Sequence, residues 1–236
     1  MKPILTLLFV FLSFLFLVNK AIAQKLSYGP TAGLLFDNPT GSVLLDSLQV
    51  ILQGDNDRRP YLGAYVSYKL SDVFSITSGA NYYNAYTSAI MYNVNKEGFG
   101  RLVNSTSAGN RSIEIPFQVD AHVPFLRVNT FLLAGISPNI RITRYASPYH
   151  TGRYISPYMS EALYQFRTVM KPVVWKYTLG VGASIWRLRL EAKWQQDLSE
   201  SATRPYKVWG KSYDFYSKNS VIRFGIGYNL NWKNKE

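Results

Sequence analysis

Eight stretches of this chain alternate apolar and polar residues with a period of two, and within them every glycine and every ionised group falls on the same face. Such a pattern is that of a β-strand with one greasy and one polar side. The stretches are residues 26–36, 61–70, 73–83, 113–123, 128–142, 173–185, 187–196 and 221–232. In the fourth, Ile113, Ile115, Phe117, Val119, Ala121 and Val123 alternate with Glu114, Pro116, Gln118, Asp120 and His122. In the last, Ile222, Phe224, Ile226, Tyr228, Leu230 and Trp232 alternate with Arg223, Gly225, Gly227, Asn229 and Asn231.

Glycine placement decides which face is concave. A small closed barrel has a crowded interior, and residues without a side chain let the sheet coil there. Gly29, Gly33, Gly63, Gly79, Gly135, Gly180, Gly182, Gly225 and Gly227 all lie on the polar face, so the polar face is predicted to be inside. A water-soluble barrel would need the reverse, with apolar residues inside. The apolar face carries no Lys, Arg, Asp or Glu in any of the eight stretches. A lipid-facing surface requires this, since one Lys or Arg at the bilayer midplane costs about 2–4 kcal/mol. The expected fold is therefore all-β: an eight-stranded antiparallel up-and-down transmembrane β-barrel.

The connections alternate in length. Two residues, Ser71 and Asp72, join the second and third strands, and the fourth–fifth and sixth–seventh joints are similarly tight. The others, 37–60, 84–112, 143–172 and 197–220, run to twenty residues or more and are rich in Asn, Ser, Pro, Gly and charge. Long loops on one rim and tight turns on the other are the asymmetry of outer-membrane barrels, and they put both termini on the periplasmic side. Outward aromatics are expected at both interfaces: Tyr68, Phe74 and Trp232 by the turns, Phe36, Tyr82, Trp175 and Trp194 by the loops.

The N-terminus reads as a secretory signal peptide over residues 1–23, with Lys2, an apolar run from Ile4 to Val18 and the small-residue site Ala21-Ile22-Ala23. Residues 24–236 form the barrel domain. The sequence contains no cysteine, which excludes disulfides, thiolate chemistry and a lipoprotein anchor. Two histidines, His122 and His150, far apart in the chain, make no ligand set, so neither a metal nor a cofactor is expected.

The polar face carries Glu114, Asp120, Arg141, Lys176, Arg189, Glu191, Lys193 and Arg223. Turned together into a low-dielectric lumen, these charges must pair. Glu114 and Arg141 are expected partners. The result is either a packed salt-bridge core or the lining of a narrow solute channel. A third reading is a lipid-modifying enzyme, in which Ser67 or Ser75 meets His122 with Asp120 as the acid. The formal net charge is +12. Basic loop residues Arg58, Arg59, Lys96, Arg101, Arg153, Arg167, Arg204, Lys207 and Lys211 suit lipopolysaccharide phosphates, whereas nucleic acid is no partner for an exported chain. Loop segments 43–52 and 160–170 have apolar spacing that suits short capping helices.

The run Arg111-Ser112-Ile113-Glu114-Ile115-Pro116-Phe117, followed by Phe131-Leu132-Leu133-Ala134-Gly135, resembles the PorT-like outer-membrane β-barrel family of Bacteroidetes. Leu190-Glu191-Ala192 and Gly227-Tyr228 are similar to that family as well. The resemblance implies an outer-membrane barrel and, for named members, a link to type IX protein secretion. The last strand also looks like the signal read by the barrel-assembly machinery, with Arg223, Gly225, Tyr228 and Leu230 in its positions, although the chain continues through Lys233-Asn234-Lys235-Glu236. The reading that results is a non-enzymatic envelope protein acting through its long loops, in structure, adhesion or secretion assembly. Its expected surroundings are outer-membrane lipid, lipopolysaccharide and the assembly machinery.

Overall fold

The computed structural model describes residues 25–46, 48–53, 58–94, 100–125, 128–146, 170–200, 205–208 and 210–231. The signal segment, Trp232, His150 and most of the third loop lie outside them. The strands are β1 (Leu26–Leu45), β2 (Leu48–Gln53), β3 (Arg59–Lys69), β4 (Phe74–Val94), β5 (Gly100–Glu114), β6 (Phe117–Phe125), β7 (Val128–Ala146), β8 (Val173–Ile185), β9 (Leu188–Asp197), β10 (Tyr206–Val208), β11 (Lys211–Tyr213) and β12 (Tyr216–Tyr228).

These strands build eight wall positions. β5 and β6 are one wall strand, because both keep the same register against β4, with Asn81 opposite Glu114 and Ser78 opposite Phe117. Ile115 and Pro116 interrupt the ladder between them, and proline has no N–H to donate to it. The wall closes because β1 pairs antiparallel with both β3 and β12. Stepping across the pairs from Tyr28 through Val66, Ser78, Phe117, Ile136, Tyr177, Gln196 and Ser220 returns to β1 at Asn38, ten residues further along. With ordinary strand spacing and rise, that stagger around eight strands tilts them by about 40°. The sheet is a closed eight-stranded antiparallel barrel.

Its faces follow the alternation. Leu62, Leu132, Val181 and Phe224 are each more than half exposed, on the outside. Glu114, Asp120, Lys176 and Arg223 are buried inside. This is the inverse of a soluble barrel, and it is the polarity of a wall that faces hydrocarbon.

The interior glycines leave room for rings. A methyl group at Gly182 would overlap the Phe131 ring, and one at Gly225 would overlap the Tyr61 hydroxyl. At Gly227 it would come within 2.9 Å of the Tyr65 ring. The narrow lumen is thus filled by large side chains standing opposite positions that have none.

Beyond the level of Asp37 and Arg59 the wall continues. β1 runs on to Leu45 and reverses at Asp46, whose φ is 48°. β2 then returns between β1 and β4, in the place that β3 holds lower down. β4 and β5 stay paired as far as Val94 and Gly100. On the inward side of this crown, Val43, Leu45, Val50, Leu52, Ala89 and Met91 form a buried apolar core with Met170, Val208 and Phe215.

Two sequence expectations change here. Residues 43–52 form a β-hairpin and not a helix, because Val43, Leu45, Val50 and Leu52 bury every second residue and β4 completes the ladder. The connections 37–60, 84–112 and 197–220 are largely strand. Residues 160–169 lie outside the described residues, and Met170 is packed into the crown core.

Filling a ring's space tests this packing. Gly225→Val should destabilise the folded barrel by about 1–3 kcal/mol, as overpacked cores do, whereas outward Ala80→Val should stay within about 0.5 kcal/mol of the parent. Urea unfolding in lipid vesicles, followed by tryptophan fluorescence, measures both.

Candidate functional site

The polar residues of the lumen are the candidate site, and they lie in three layers. By the turns, Asp120 is fully buried and accepts hydrogen bonds from Thr77 at 2.6 Å and from Arg189 at 2.8 Å. Thr77 lies 2.7 Å from the Ser67 hydroxyl. Arg189 spans to the middle layer, donating from Nε to Glu191 at 2.7 Å, and its guanidinium carbon sits 4.2 Å from the Phe131 ring centroid. Glu191 in turn pairs with Lys193 at 2.5 Å, and Lys193 donates to Gln118 at 3.0 Å.

Towards the loops, Arg223 pairs with Glu114, and Gln195 donates to the same carboxylate at 2.8 Å. The Arg223 guanidinium carbon is 4.8 Å from the Tyr61 ring and 5.5 Å from the Tyr83 ring. Above it, Arg59 donates to Asp37 at 2.9 Å, Lys176 stands 3.8 Å from Asp197, and the Asn219 side chain reaches Asp37 at 3.3 Å. Among the described residues the lumen holds five cations, Arg59, Lys176, Arg189, Lys193 and Arg223, against five carboxylates, Asp37, Glu114, Asp120, Glu191 and Asp197. Those ten charges cancel, and Arg141, which acts on Asp197 and Tyr83, adds a further cation near the loop rim.

Of the residues picked from sequence, seven share this network, but Arg141 does not meet Glu114. Instead it donates to the Lys171 carbonyl at 3.1 Å near the loop rim. Glu114 takes Arg223 from across the lumen, a partner 109 residues away. Three members were hidden in supposed loops: Asp37, Arg59 and Asp197. Their signal was phase, since each continues the inward set of its strand, as Leu35 leads to Asp37 and Gln195 to Asp197. Arg59 is therefore buried in an ion pair and does not belong to the exposed basic rim, where Arg58, Lys207 and Lys211 are exposed. Lys96, Arg153, Arg167 and Arg204 lie outside the described residues, as does the side chain of Arg101.

The Ser75, His122 and Asp120 group does form, in an order unlike a hydrolase triad. Ser75 Oγ lies 2.9 Å from His122 Nε2 and 3.3 Å from Asp120 Oδ2, while His122 Nδ1 has no hydrogen-bond partner. In a triad the acid orients the histidine. Here the carboxylate is taken up by Arg189 and Thr77, and Ser75 is 3% exposed. This geometry gives the serine a histidine neighbour and leaves the acid bonded to Arg189 and Thr77.

A cavity of about 20 Å³ lies between Tyr61, Tyr65, Arg189 and Lys193. It has the size of a water site. The outer end is roofed by the apolar crown core. Asp46, at the tip of the β1–β2 hairpin, accepts from Lys211 at 3.1 Å and from the Tyr213 hydroxyl at 3.3 Å, which ties the β10–β11 hairpin across the roof. Of the assembly-signal residues, Arg223 and Gly225 point inward on β12, Tyr228 ends that strand, and Leu230 lies exposed just beyond it.

No family model matches the chain, and no curated protein matches it. Among solved structures it is similar to the outer membrane protein OprG from Pseudomonas aeruginosa, at 10% identity over 87% of this chain and 94% of that one, with a TM-score of 0.42. It is also similar to the outer membrane protease OmpT from Escherichia coli, at 9% identity over 87% and 96%, TM-score 0.47. A third is the translocator domain of autotransporter NalP from Neisseria meningitidis, at 11% identity over 85% and 88%, TM-score 0.25.

The Glu114–Arg223 pair offers a direct test of the lumen. Glu114→Ala leaves a buried guanidinium uncompensated and should cost about 3–5 kcal/mol. The double variant Glu114→Leu, Arg223→Met removes both charges and should recover most of that loss. Urea midpoints in vesicles separate the two outcomes.

Proposed function

We propose that this protein is a non-enzymatic integral outer-membrane barrel that anchors the crown at the cell surface, where the crown serves adhesion or envelope assembly. The observation that carries the reading is the closed lumen: paired charges fill it and an apolar core roofs it. A conduit needs a continuous polar path. A packed salt-bridge core supplies the wall with stability and leaves the outside as the working surface.

The wall supports the membrane placement. Its outer face is apolar from strand to strand, and Tyr82, Trp175 and Trp194 stand exposed on the loop side with Phe74 on the turn side. Aromatics at these two levels suit the headgroup regions. The crown supports recognition. The sequence of the β4–β5 hairpin beyond the rim is rich in Tyr, Asn, Ser and Thr, residue types that make adaptable contacts at small entropic cost. A role in secretion assembly, as the PorT-like resemblance implies, belongs to the same surface, and recognition of Arg223, Gly225, Tyr228 and Leu230 by the barrel-assembly machinery would deliver the barrel there. Lipopolysaccharide is the expected neighbour of the exposed basic residues at the loop rim.

Two measurements test the reading. The purified protein in planar bilayers should conduct no more than the bare membrane, and steady single-channel steps would replace the anchor with a channel. Phe224→Lys, on the lipid face, should cost about 2–4 kcal/mol in vesicle unfolding and lower recovery from the outer-membrane fraction. A wild-type chain recovered in the soluble periplasm would remove the membrane placement.

A further inference from the structure

The lipid-facing wall is not smooth. Across β6, β7, β8, β9 and β12, a groove of about 740 Å³ opens outward. Cross-strand register explains it: Thr130, Ala183 and Leu190 lie in one row, and Leu132, Val181, Ala192 and Phe224 in the next. Ala183 and Ala192 make the floor low, while Leu132, Leu190 and Phe224 stand up around it. Its size is that of a small-molecule cleft, for which about 300–1,000 Å³ is typical.

A cation stands in the turn between β8 and β9, two of the strands that line this groove. Arg187, in that turn, donates from Nη1 to the Tyr228 hydroxyl at 3.1 Å. Its guanidinium carbon lies 5.5 Å from the Trp186 ring centroid, and Trp186 is 61% exposed. The Arg187 Nε is buried and has no hydrogen-bond partner in the protein. Trp186 and Tyr228 beside it are the residue types that mark a headgroup region.

Resting on the membrane placement above, we propose that these features together bind one glycerophospholipid from the leaflet at the turn rim. The phosphate is held by Arg187 between Trp186 and Tyr228, and one acyl chain lies in the groove over Ala183 and Ala192. A guanidinium matches phosphate geometry with paired donors. A chain seated in the recess meets wall atoms on three sides, where a chain on the raised belt meets them on one. Positive charge at one end of an apolar trench selects an anionic amphiphile over a neutral one.

Native mass spectrometry of the full barrel in dodecyl maltoside provides the test, with palmitoyl-oleoyl phosphatidylglycerol and the matching diacylglycerol as probes. The parent should retain one phosphatidylglycerol at least fivefold more than diacylglycerol. Arg187→Ala should bring the two to the same level, Ala183→Leu with Ala192→Leu should abolish both, and outward Ala80→Leu should change neither. Heat-modifiable migration on a gel shows that each variant has folded. Equal retention of the two probes by the parent, full retention by Arg187→Ala, or full retention by the groove-filled variant would each overturn the site, as would a lipid-free dimer seated on this face. Failure of the membrane placement is distinguishable, because it appears as wild-type protein in the soluble fraction before any lipid is added.

Discussion

Charge neutralisation inside a closed wall is the constraint on which the rest of this molecule depends. An ion moved from water into a protein interior loses several kcal/mol of solvation, which only close and well-bonded partners restore. The lumen meets that demand with five cations and five carboxylates, joined by Gln118, Gln195 and Thr77. Those ten charges cancel, so they add nothing to the chain's net +12. The same crowding dictates the glycines. Arg189 can lie over Phe131, and Arg223 between Tyr61 and Tyr83, only because Gly182 and Gly225 leave the space that those rings occupy.

How much of this was legible depended on which medium each residue meets. In the membrane zone the outward face meets lipid, so alternation is stark: Phe224 out, Arg223 in. Eight strands, their faces and the three tight turns could be read from it. Above the rim the outward face meets water and the inward face becomes the dry one, so the pattern inverts while the strands continue. Val43 and Leu45 point to the same side as Asp37, yet they are apolar where Asp37 is charged. A search for apolar-outward strands therefore stops at the rim, and the crown passes for loop. The unbroken phase of β1 from Leu35 through Asp37 to Val43 was the available clue.

Pairing across the lumen was not legible, and geometry explains why. Glu114 and Arg141 stand near the same ends of neighbouring strands, so proximity in the sheet favours them. Side chains as long as arginine reach across a narrow barrel, however, and the ten-residue stagger decides which levels coincide. Arg223, on a strand that pairs with neither β5 nor β7, arrives at Glu114 that way. The serine–histidine–aspartate group teaches the same lesson in reverse. Its members are brought together as the alternation suggested, but the aspartate is claimed by Arg189, and the histidine loses its orienting partner.

The two ends of the barrel differ in kind. At the loop end, strands extend past the rim and bury an apolar core of their own, so the exposed hairpins are held by a rigid base. That base includes a tie from Asp46 to Lys211 and Tyr213. Exposed ion pairs of this sort contribute at most about 1 kcal/mol, so the crown's rigidity comes chiefly from Leu45, Val50, Met91 and Phe215 beneath it. At the turn end the exposed Trp186 stands beside the partly buried Arg187 and Tyr228, near a recess in the apolar belt. One end is built to present backbone and side chains to water, the other to sit in a headgroup layer.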